Sequence, residues 1–269
     1  MTFALVFPNI DPVLIQIGPF GIRWYALAYI AGIVLGWWWC KHLLAKPPQI
    51  MKREAFDDFI LWATLGIVLG GRLGYVLFYK PDFYLEHPLE ALKVWQGGMS
   101  FHGGLIGVLL AIGLFARRQG VPYFALSDVV ACGVPFGLLF GRLANFINGE
   151  LWGRVTDVPW GMVFPGAGDI PRHPSQLYQA GLEGGCLFVL LFIVERTGAR
   201  RRVGVLSGMF LIGYGIARTI GELFRQPDAF LGEGGFLFAG VTMGQVLSAP
   251  MILIGLYLVV RASRRRELA

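Results

Sequence analysis

The 269-residue sequence is poor in charge, poor in cysteine and free of positive charge at its start. Only 15% of its residues are charged, against about 25% in a soluble domain, so polar surface is too scarce to cover a globule in water. The three cysteines lie far apart within apolar runs, and neither a disulfide framework nor a metal site is expected from them. The first twenty residues contain no Lys or Arg, so no cleavable secretory signal is expected.

Long apolar runs are what the sequence has in abundance. Hydrophobic residues make up 55% of the chain, and the mean hydropathy is +0.61. Seven runs have close to or more than the roughly 20 residues that a transmembrane helix needs, and the third, which opens with the glycine-rich GGMSFHGG (97–104), is the shortest. We therefore predict an all-α membrane protein, a single polytopic domain over 1–269 with about seven transmembrane helices. The predicted spans are 22–44, 56–79, 99–116, 124–149, 175–195, 203–225 and 240–260.

The positions of Lys and Arg between these spans predict the orientation. Fourteen of them fall in one set of alternate connections and four in the other. Basic residues accumulate on the cytoplasmic side, so the N-terminus is predicted to be periplasmic and the C-terminus cytoplasmic. The connections 80–98 and 150–174 are then on the outer side. The net charge of +6 is explained by this topology, and no nucleic-acid partner is expected.

Five of the 23 basic residues remain, and all lie within spans or at their edges. The predicted orientation puts every one of them toward the outer side, against the usual tendency. An arginine at the bilayer centre costs at least about 2.5–3.5 kcal/mol, so such residues normally face a partner or a cavity. Together they predict an outer cavity that holds an anion, most simply a lipid phosphate. The five are Arg23, Arg72, Arg142, Arg218 and Arg225.

The sixth predicted span carries a polar stripe. Tyr214, Arg218 and Glu222 recur every four residues, and Arg225 follows three residues after Glu222. Residues at this spacing share one face of a helix. Glu222 is predicted to pair with arginine, because a buried charge needs a partner.

The fourth predicted span carries a second polar group. Arg142, Asn145 and Asn148 recur every three residues, and Glu150 follows where the helix is expected to leave the membrane. Glu150 is the second predicted charge partner for the arginines.

A histidine between glycines stands at the outer end of the third span. Non-helical backbone at membrane depth is tolerated only where protein or a water-filled cavity covers it, so His102 is predicted to line the cavity. Imidazole is the usual general base near neutral pH, although a lone histidine is more often structural. His173, in the outer connection, is a weaker candidate.

Two other functions fit parts of this pattern. A transporter or flippase for an anionic solute or lipid would also bury arginines, but it needs a path through the inner half of the membrane. An intramembrane protease would need a nucleophile–base pair or a carboxylate pair within helices, and Ser100 near His102 is the one hint of either.

The run GRLANFINGELWGR resembles the signature of the bacterial prolipoprotein diacylglyceryl transferase family. Other segments agree with that family in order and context, and together they extend over essentially the whole chain. Two small departures, Ala26 and Ala144, replace glycines common in the family. The segments are 141–154 for the signature, then RWYALAY (23–29), GGRLGYVLFY (70–79), GGMSFHGGLIG (97–107), RHPSQLYQ (172–179), GYGIAR (213–218), ELFRQPDA (222–229) and MGQVLSAPM (243–251).

The resemblance implies an enzyme of the bacterial inner membrane with its active site toward the periplasm. Such enzymes transfer the diacylglyceryl group of phosphatidylglycerol to the lipobox cysteine of preprolipoproteins and release glycerol phosphate. The implied partners are that lipid, those preprolipoproteins and the bilayer, and no metal or organic cofactor is expected. Matching motifs imply catalytic roles for His102, Arg142 and Arg218. They imply substrate-binding roles for Tyr25, Asn145, Glu150, Gly153, Tyr214, Glu222 and Arg225.

Overall fold

The computed structural model of the protein describes residues 5–8, 10–227, 236–237 and 240–264. Most of these are helical, which agrees with the predicted fold class. Within the described ranges, six helices are long and apolar enough to cross a membrane, so the chain is a multi-pass membrane protein. The six are Trp24–Leu44, Ala55–Phe78, Phe101–Gln119, Tyr123–Ile147, Ser175–Arg196 and Met243–Ser263.

The remaining predicted span, 203–225, also forms a helix, Val205–Phe224. It carries Arg218 and Glu222 and is not among those six. The predicted bounds of all seven segments agree with the helices to within a few residues. The chain divides into two compact units, one of residues 1–40 and 128–269 and the other of residues 41–127.

The first unit contains two small sheets and most of the helices. Strand β1 (Leu5–Val6) pairs in parallel with β4 (Met162–Val163), and β2 (Val13–Ile17) forms a hairpin with β3 (Phe20–Arg23). These short strands were not predicted. The helices are α1 (Trp24–Leu44), which begins in this unit, α5 (Tyr123–Ile147), which ends in it, α6 (Ser175–Gln179), α7 (Leu187–Arg196), α8 (Val205–Phe224) and α9 (Met243–Ser263).

Glycines let α1 approach α5 closely. A Cβ carbon at Gly36 would lie 2.9 Å from the carbonyl oxygen of Gly133, and one at Gly32 would lie 3.0 Å from the Cα of Gly137. Each helix thus presents two glycines four residues apart, the small-residue spacing that lets transmembrane helices pack backbone to backbone.

Between α6 and α7 the chain forms a π-helix, Ala180–Cys186. Its Gly184 lies against α5, where a Cβ carbon would stand 2.8 Å from the Cα of Leu139. The wider turn of a π-helix redirects side chains relative to a regular α-helix, and such segments are frequent at functional sites. Glu183 lies in the middle of this one and is fully buried.

Both ends of α8 are held by side chains from other segments. At its start, the buried carboxylate of Asp128 in α5 accepts hydrogen bonds of 2.7 Å from the backbone N–H groups of Gly204 and Ser207. At its end, Arg154 donates to the carbonyl oxygens of Glu222 and Arg225, at 3.1 and 3.0 Å. A carboxylate at the first turn and a guanidinium at the last both complement the helix dipole.

The second unit is built on a helical pair, α2 (Ala55–Phe78) and α4 (Phe101–Gln119), with the short helix α3 (Pro81–Glu86) between them. A row of glycines forms the contact between α2 and α4. A Cβ carbon at Gly74 would lie 2.9 Å from the Cα of Gly103, and one at Gly70 would lie 2.9 Å from the Cα of Gly107.

Arg72, on α2, is buried and holds the connection to α4. Its guanidinium donates to the carbonyl oxygens of Glu90, Ala91 and Gly97, at 2.6, 2.8 and 2.6 Å, and to that of Gly98 at 3.2 Å. All four acceptors are backbone groups of one loop. Arg72 therefore fixes the path of the chain immediately before Ser100 and α4.

Candidate active site

The polar stripe predicted on α8 is present and carries an ion-pair chain. Arg218 Nη2 lies 2.7 Å from Glu222 Oε1, and Arg225 Nη1 lies 3.4 Å from the same oxygen. Glu222 is nearly fully buried, at 3% side-chain exposure. The expected pairing of Glu222 with arginine is thus found, with the carboxylate shared by two guanidinium groups.

Sequence reasoning missed a second buried carboxylate, that of Glu183. Its side chain is 0% exposed and accepts from Arg142 at 3.2 Å (Nε) and 3.1 Å (Nη2). Arg218 Nη1 approaches its other oxygen at 3.5 Å. A carboxylate inside the apolar run 175–195 needs a cationic partner, and that requirement was the available signal.

Arg142, Glu183, Arg218, Glu222 and Arg225 form a continuous series in which each charge lies next to one of opposite sign. We call this series the arginine–glutamate chain. It joins α5, the π-helix and α8 within the first unit. Arg142 and Arg218 keep 17% and 14% of their side chains exposed, so neither side chain is fully enclosed by protein.

Arg142 is oriented by Glu183. Its Nε and Nη2 both donate to Glu183 Oε2, whereas its Nη1 has no protein partner in the described part of the chain. Nη1 is therefore the group that Arg142 can offer to an anion. A guanidinium held in this way presents a fixed donor to a phosphate oxygen.

Tyr214 belongs to the same neighbourhood. It interacts electrostatically with Glu183, Arg218 and Arg142, and its ring stacks on that of Phe210 with centroids 5.9 Å apart. The predicted face of α8 thus brings Tyr214 and Arg218 to one place.

Asn145 and Glu150 form a second polar group at the end of α5. Asn145 is buried, and its Nδ2 donates to Glu150 Oε1 at 2.8 Å. Asn148 donates to the same oxygen at 3.4 Å. The hydroxyl of Tyr25 interacts with Asn145 and lies 3.3 Å from that of Tyr29. Glu150, which was predicted to pair with arginine, accepts hydrogen bonds from these amides.

Gly153 lies at a backbone crossing. Its N–H donates to the carbonyl oxygen of His173 at 2.9 Å, and a Cβ carbon there would stand 2.5 Å from that oxygen and 2.6 Å from the carbonyl oxygen of Phe224. Only glycine fits between these two segments. The structure thus gives Gly153 a role in bringing the loop after α5 against the end of α8.

His173 lies beside this crossing. Its Nδ1 is 3.2 Å from the Tyr178 hydroxyl, and partial burial lowers the pKa of the imidazole. The nearby Asp157 carboxylate opposes that shift in pKa without cancelling it. His173 is therefore part of the packing of the loop that follows α5.

Two buried glutamines were also missed. Gln176 donates from Nε2 to the carbonyl oxygen of Glu150 at 2.6 Å. Gln179 is fully buried, and within the described ranges neither its Nε2 nor its Oε1 has a hydrogen-bond partner. Gln176, Gln179 and Glu183 recur at three and four residues, so they occupy one face of the helix that begins with α6. The glutamine spacing is visible in the run HPSQLYQ, but an uncharged amide within a span does not require a charged partner and so gives a weaker prediction than an arginine does.

His102 belongs to the second unit. It lies exposed in the first turn of α4, which begins at Phe101 with Ser100 as its N-cap; Ser100 Oγ accepts from the N–H of Gly103 at 3.2 Å. The expected non-helical backbone around His102 is wrong, because the helix begins one residue before it. The glycines with left-handed backbone, Gly97 and Gly98, precede the cap.

Comparison with known proteins agrees with the motifs. The family model described as prolipoprotein diacylglyceryl transferase matches residues 12–261. A protein of Paramagnetospirillum magneticum named phosphatidylglycerol–prolipoprotein diacylglyceryl transferase is 62% identical over 267 residues, which cover 98% of both chains. Proteins with the same name from Methylocella silvestris and Beijerinckia indica are 57% and 58% identical, again over 98% of both chains.

Proposed function

The chain belongs to the prolipoprotein diacylglyceryl transferase family, and from this membership and its site we propose a transferase that acts on phosphatidylglycerol. The enzyme moves the diacylglyceryl group of that lipid to the lipobox cysteine of a preprolipoprotein. This is the first step of bacterial lipoprotein maturation. The structural observation that supports the proposal is the buried arginine–glutamate chain, which is suited to binding a phosphate group in a membrane.

The proposed reaction is a displacement at carbon. The thiolate of the substrate cysteine attacks C3 of the diacylglyceryl glycerol and forms a C–S bond, while the bond between C3 and the phosphate oxygen breaks. The electron pair of that bond leaves with the phosphate as glycerol phosphate, and the thiol proton passes to a base. The nucleophile belongs to the peptide, so the cysteines of the chain are not required.

The arginines are proposed to stabilise the departing phosphate. Negative charge grows on that group as the C–O bond breaks, and fixed cationic donors in a water-poor site stabilise it strongly. Arg142 offers its Nη1 to the phosphate. Arg218 is held close to Arg142 because both guanidinium groups contact the carboxylate of Glu183. Glu222 and Arg225 are proposed to hold Arg218 in place and to complete the phosphate site.

The polar group at the end of α5 is proposed to bind the lipid headgroup. Asn145 is fixed by Glu150, and the Tyr25 hydroxyl stands beside it, so both can reach hydroxyl or phosphate oxygens. Tyr214 is proposed to orient the phosphate from α8. Gly153 supports this region by allowing the loop to cross the end of α8.

His102 is proposed as the base that takes the thiol proton. A thiol with a pKa near 8.5 is mostly protonated at neutral pH, and the thiolate is the nucleophile. Support for His102 comes from its motif and from its position in the first turn of α4.

We also propose seven transmembrane helices, the six long apolar helices and α8. A helix of 20 residues is long enough to span, and its charged residues are paired within the first unit. The distribution of Lys and Arg supports a periplasmic N-terminus, a cytoplasmic C-terminus and an active site that faces the periplasm.

The test is transfer of label by the purified protein in detergent. Phosphatidylglycerol labelled in the diacylglyceryl glycerol is mixed with a lipobox peptide and with the same peptide carrying serine for cysteine. Label on the cysteine peptide alone supports the proposal. Absence of transfer by folded protein would overturn it.

An arginine variant tests the site within the same assay. Arg142→Gln is expected to lower kcat by about 10²–10³-fold, the usual effect of removing a donor to a developing anion. Arg201→Gln, at an exposed arginine, is the matched control and should turn over like the parent. Normal turnover by Arg142→Gln would rule out the phosphate role of Arg142.

A further inference from the structure

Glu183 stands between two arginines that are proposed to bind phosphate. It accepts both hydrogen bonds from Arg142 on Oε2 and the contact from Arg218 on Oε1, and it is fully buried. Glu183 does not face the ligand through a free oxygen, because each oxygen is directed at a guanidinium. Its influence on an anion therefore acts through Arg142 and Arg218.

The charge that Glu183 contributes matters for the two anions of the reaction. The lipid phosphodiester carries one negative charge, whereas glycerol phosphate is a monoester with about −1.5 to −2 at pH 7. Without the charge of Glu183, the arginine–glutamate chain would carry two net positive charges and favour the more highly charged product. With Glu183 in place, the three arginines and two glutamates of the arginine–glutamate chain carry one net positive charge, which matches the diester.

We propose that Glu183 is a positioning residue that sets the anion preference of the site, so that the phosphodiester lipid is bound without retention of the phosphomonoester product. Glu183 does this by offsetting one positive charge between Arg142 and Arg218 and by directing Nη1 of Arg142 away from itself. This inference rests on the proposed transferase function and adds to it the reason that product leaves.

The location of Glu183 supports this role. It lies at the centre of the π-helix, whose wider turn carries its side chain to Arg142 on α5 and Arg218 on α8. The arginine–glutamate chain holds three arginines and two carboxylates, so one positive charge is not offset within it. Because Glu183 is the carboxylate that contacts Arg142, its charge sets how much positive charge Arg142 can offer to a ligand.

The experiment compares inhibition by two soluble headgroup fragments in the transfer assay with full-length protein. Glycerol 1-phosphate represents the monoester product, and bis(glycero)phosphate represents the diester. Glu183→Gln keeps the shape of the side chain and removes its charge. We expect its inhibition constant for glycerol 1-phosphate to fall at least about tenfold, because one extra positive charge acts at short range in a poorly screened site.

The inhibition constant for bis(glycero)phosphate should fall less, and kcat should decrease because product leaves slowly. Glu183→Asp keeps the charge and is expected to bind glycerol 1-phosphate like the parent. Glu195→Gln, a glutamate further along the same helical segment, is the matched control and should leave both constants unchanged. A damaged fold weakens inhibition by both anions, so tighter binding of the monoester cannot come from misfolding.

Inhibition of Glu183→Gln by glycerol 1-phosphate that is unchanged or weaker would overturn the proposal. The parent protein gives a second measurement that needs no variant: its two inhibition constants should agree within about threefold, despite the extra charge of the monoester. A parent that binds the monoester more than tenfold tighter would also overturn it. Absence of transfer by the parent would instead mark failure of the proposed function.

Discussion

Gly153 lies so close to His173 that a Cβ carbon at Gly153 would stand 2.5 Å from the His173 carbonyl oxygen. The first prediction follows from this contact. Gly153→Ala should reduce the free energy of unfolding by about 1–3 kcal/mol, since the two backbone segments must separate to admit the methyl group. Turnover should fall with it, because Arg154 caps α8 from the next residue.

Thermal unfolding followed by tryptophan fluorescence measures the first effect, and the label-transfer assay measures the second. Gly137→Ala is the control, because a Cβ carbon there meets nothing within 4 Å. Equal midpoints for the two variants would contradict the close approach.

The second prediction concerns Asn145. Asn145→Asp would place a carboxylate 2.8 Å from the Glu150 carboxylate in a buried site, so transfer should fall by at least about a hundredfold. Asn148→Asp lies at an exposed position with a longer contact to Glu150, so this variant should lose much less transfer activity.

Combining Asn145→Asp with Glu150→Gln reverses donor and acceptor and should restore thermal stability. If the Asn145 amide itself contacts the lipid, the double variant regains its fold without regaining transfer. Full recovery of transfer would show that the role of Asn145 is limited to its hydrogen bond with Glu150.

The third prediction concerns His102. His102→Gln should lower kcat by about 10²-fold at pH 7, the usual contribution of a general base. The deficit should shrink as pH rises past about 8.5, because the substrate thiol then ionises without help. Profiles of kcat against pH for the parent, His102→Gln and His87→Gln, an exposed histidine of the same unit, provide the test. A pH-independent deficit would argue against a base.

The fourth prediction concerns Arg72. Arg72→Lys cannot reach four carbonyl oxygens with one ammonium group, so the variant should lose about 2–4 kcal/mol of stability. The loop that Arg72 holds should also become sensitive to protease near Gly97. Arg117→Lys, at an exposed site in the same unit, should behave like the parent. Unchanged proteolysis would mean that the loop is held by other contacts.

The fifth prediction concerns Gln179. A fully buried amide whose nitrogen and oxygen both lack partners within the described ranges weakens the fold, so Gln179→Met should gain about 1–3 kcal/mol of stability. Gln96→Met, at an exposed glutamine, should change little. Increased stability together with reduced transfer would assign the Gln179 amide to the substrate. A decrease in stability would show that the amide is satisfied in the folded protein.

The sequence predicted the helices and the ion pair of Arg218 with Glu222 well, for a physical reason. Apolar runs of about 20 residues have few alternatives to a membrane helix, and an arginine within such a run needs a partner. The i, i+4 spacing of Arg218 and Glu222 was therefore enough to predict their ion pair, which the structure has at 2.7 Å.

Glu183 was harder to predict, because its partners are distant in sequence. Arg142 lies 41 residues before it and Arg218 lies 35 residues after it. No spacing rule connects positions on three different helices. The π-helix that directs Glu183 also has no clear sequence signal, and Gly153 could be understood only once two backbone segments were seen to cross at it.

The capping of α8 at both ends has a mechanical consequence. Asp128 holds its first turn and Arg154 its last, so the helix cannot slide along its axis or turn about it without breaking hydrogen bonds at one end. Arg218 and Glu222 thus lie on a helix whose axial position and rotation are both fixed by hydrogen bonds. A ligand therefore meets these two residues at a height and rotation of the helix that are set by hydrogen bonds at both of its ends.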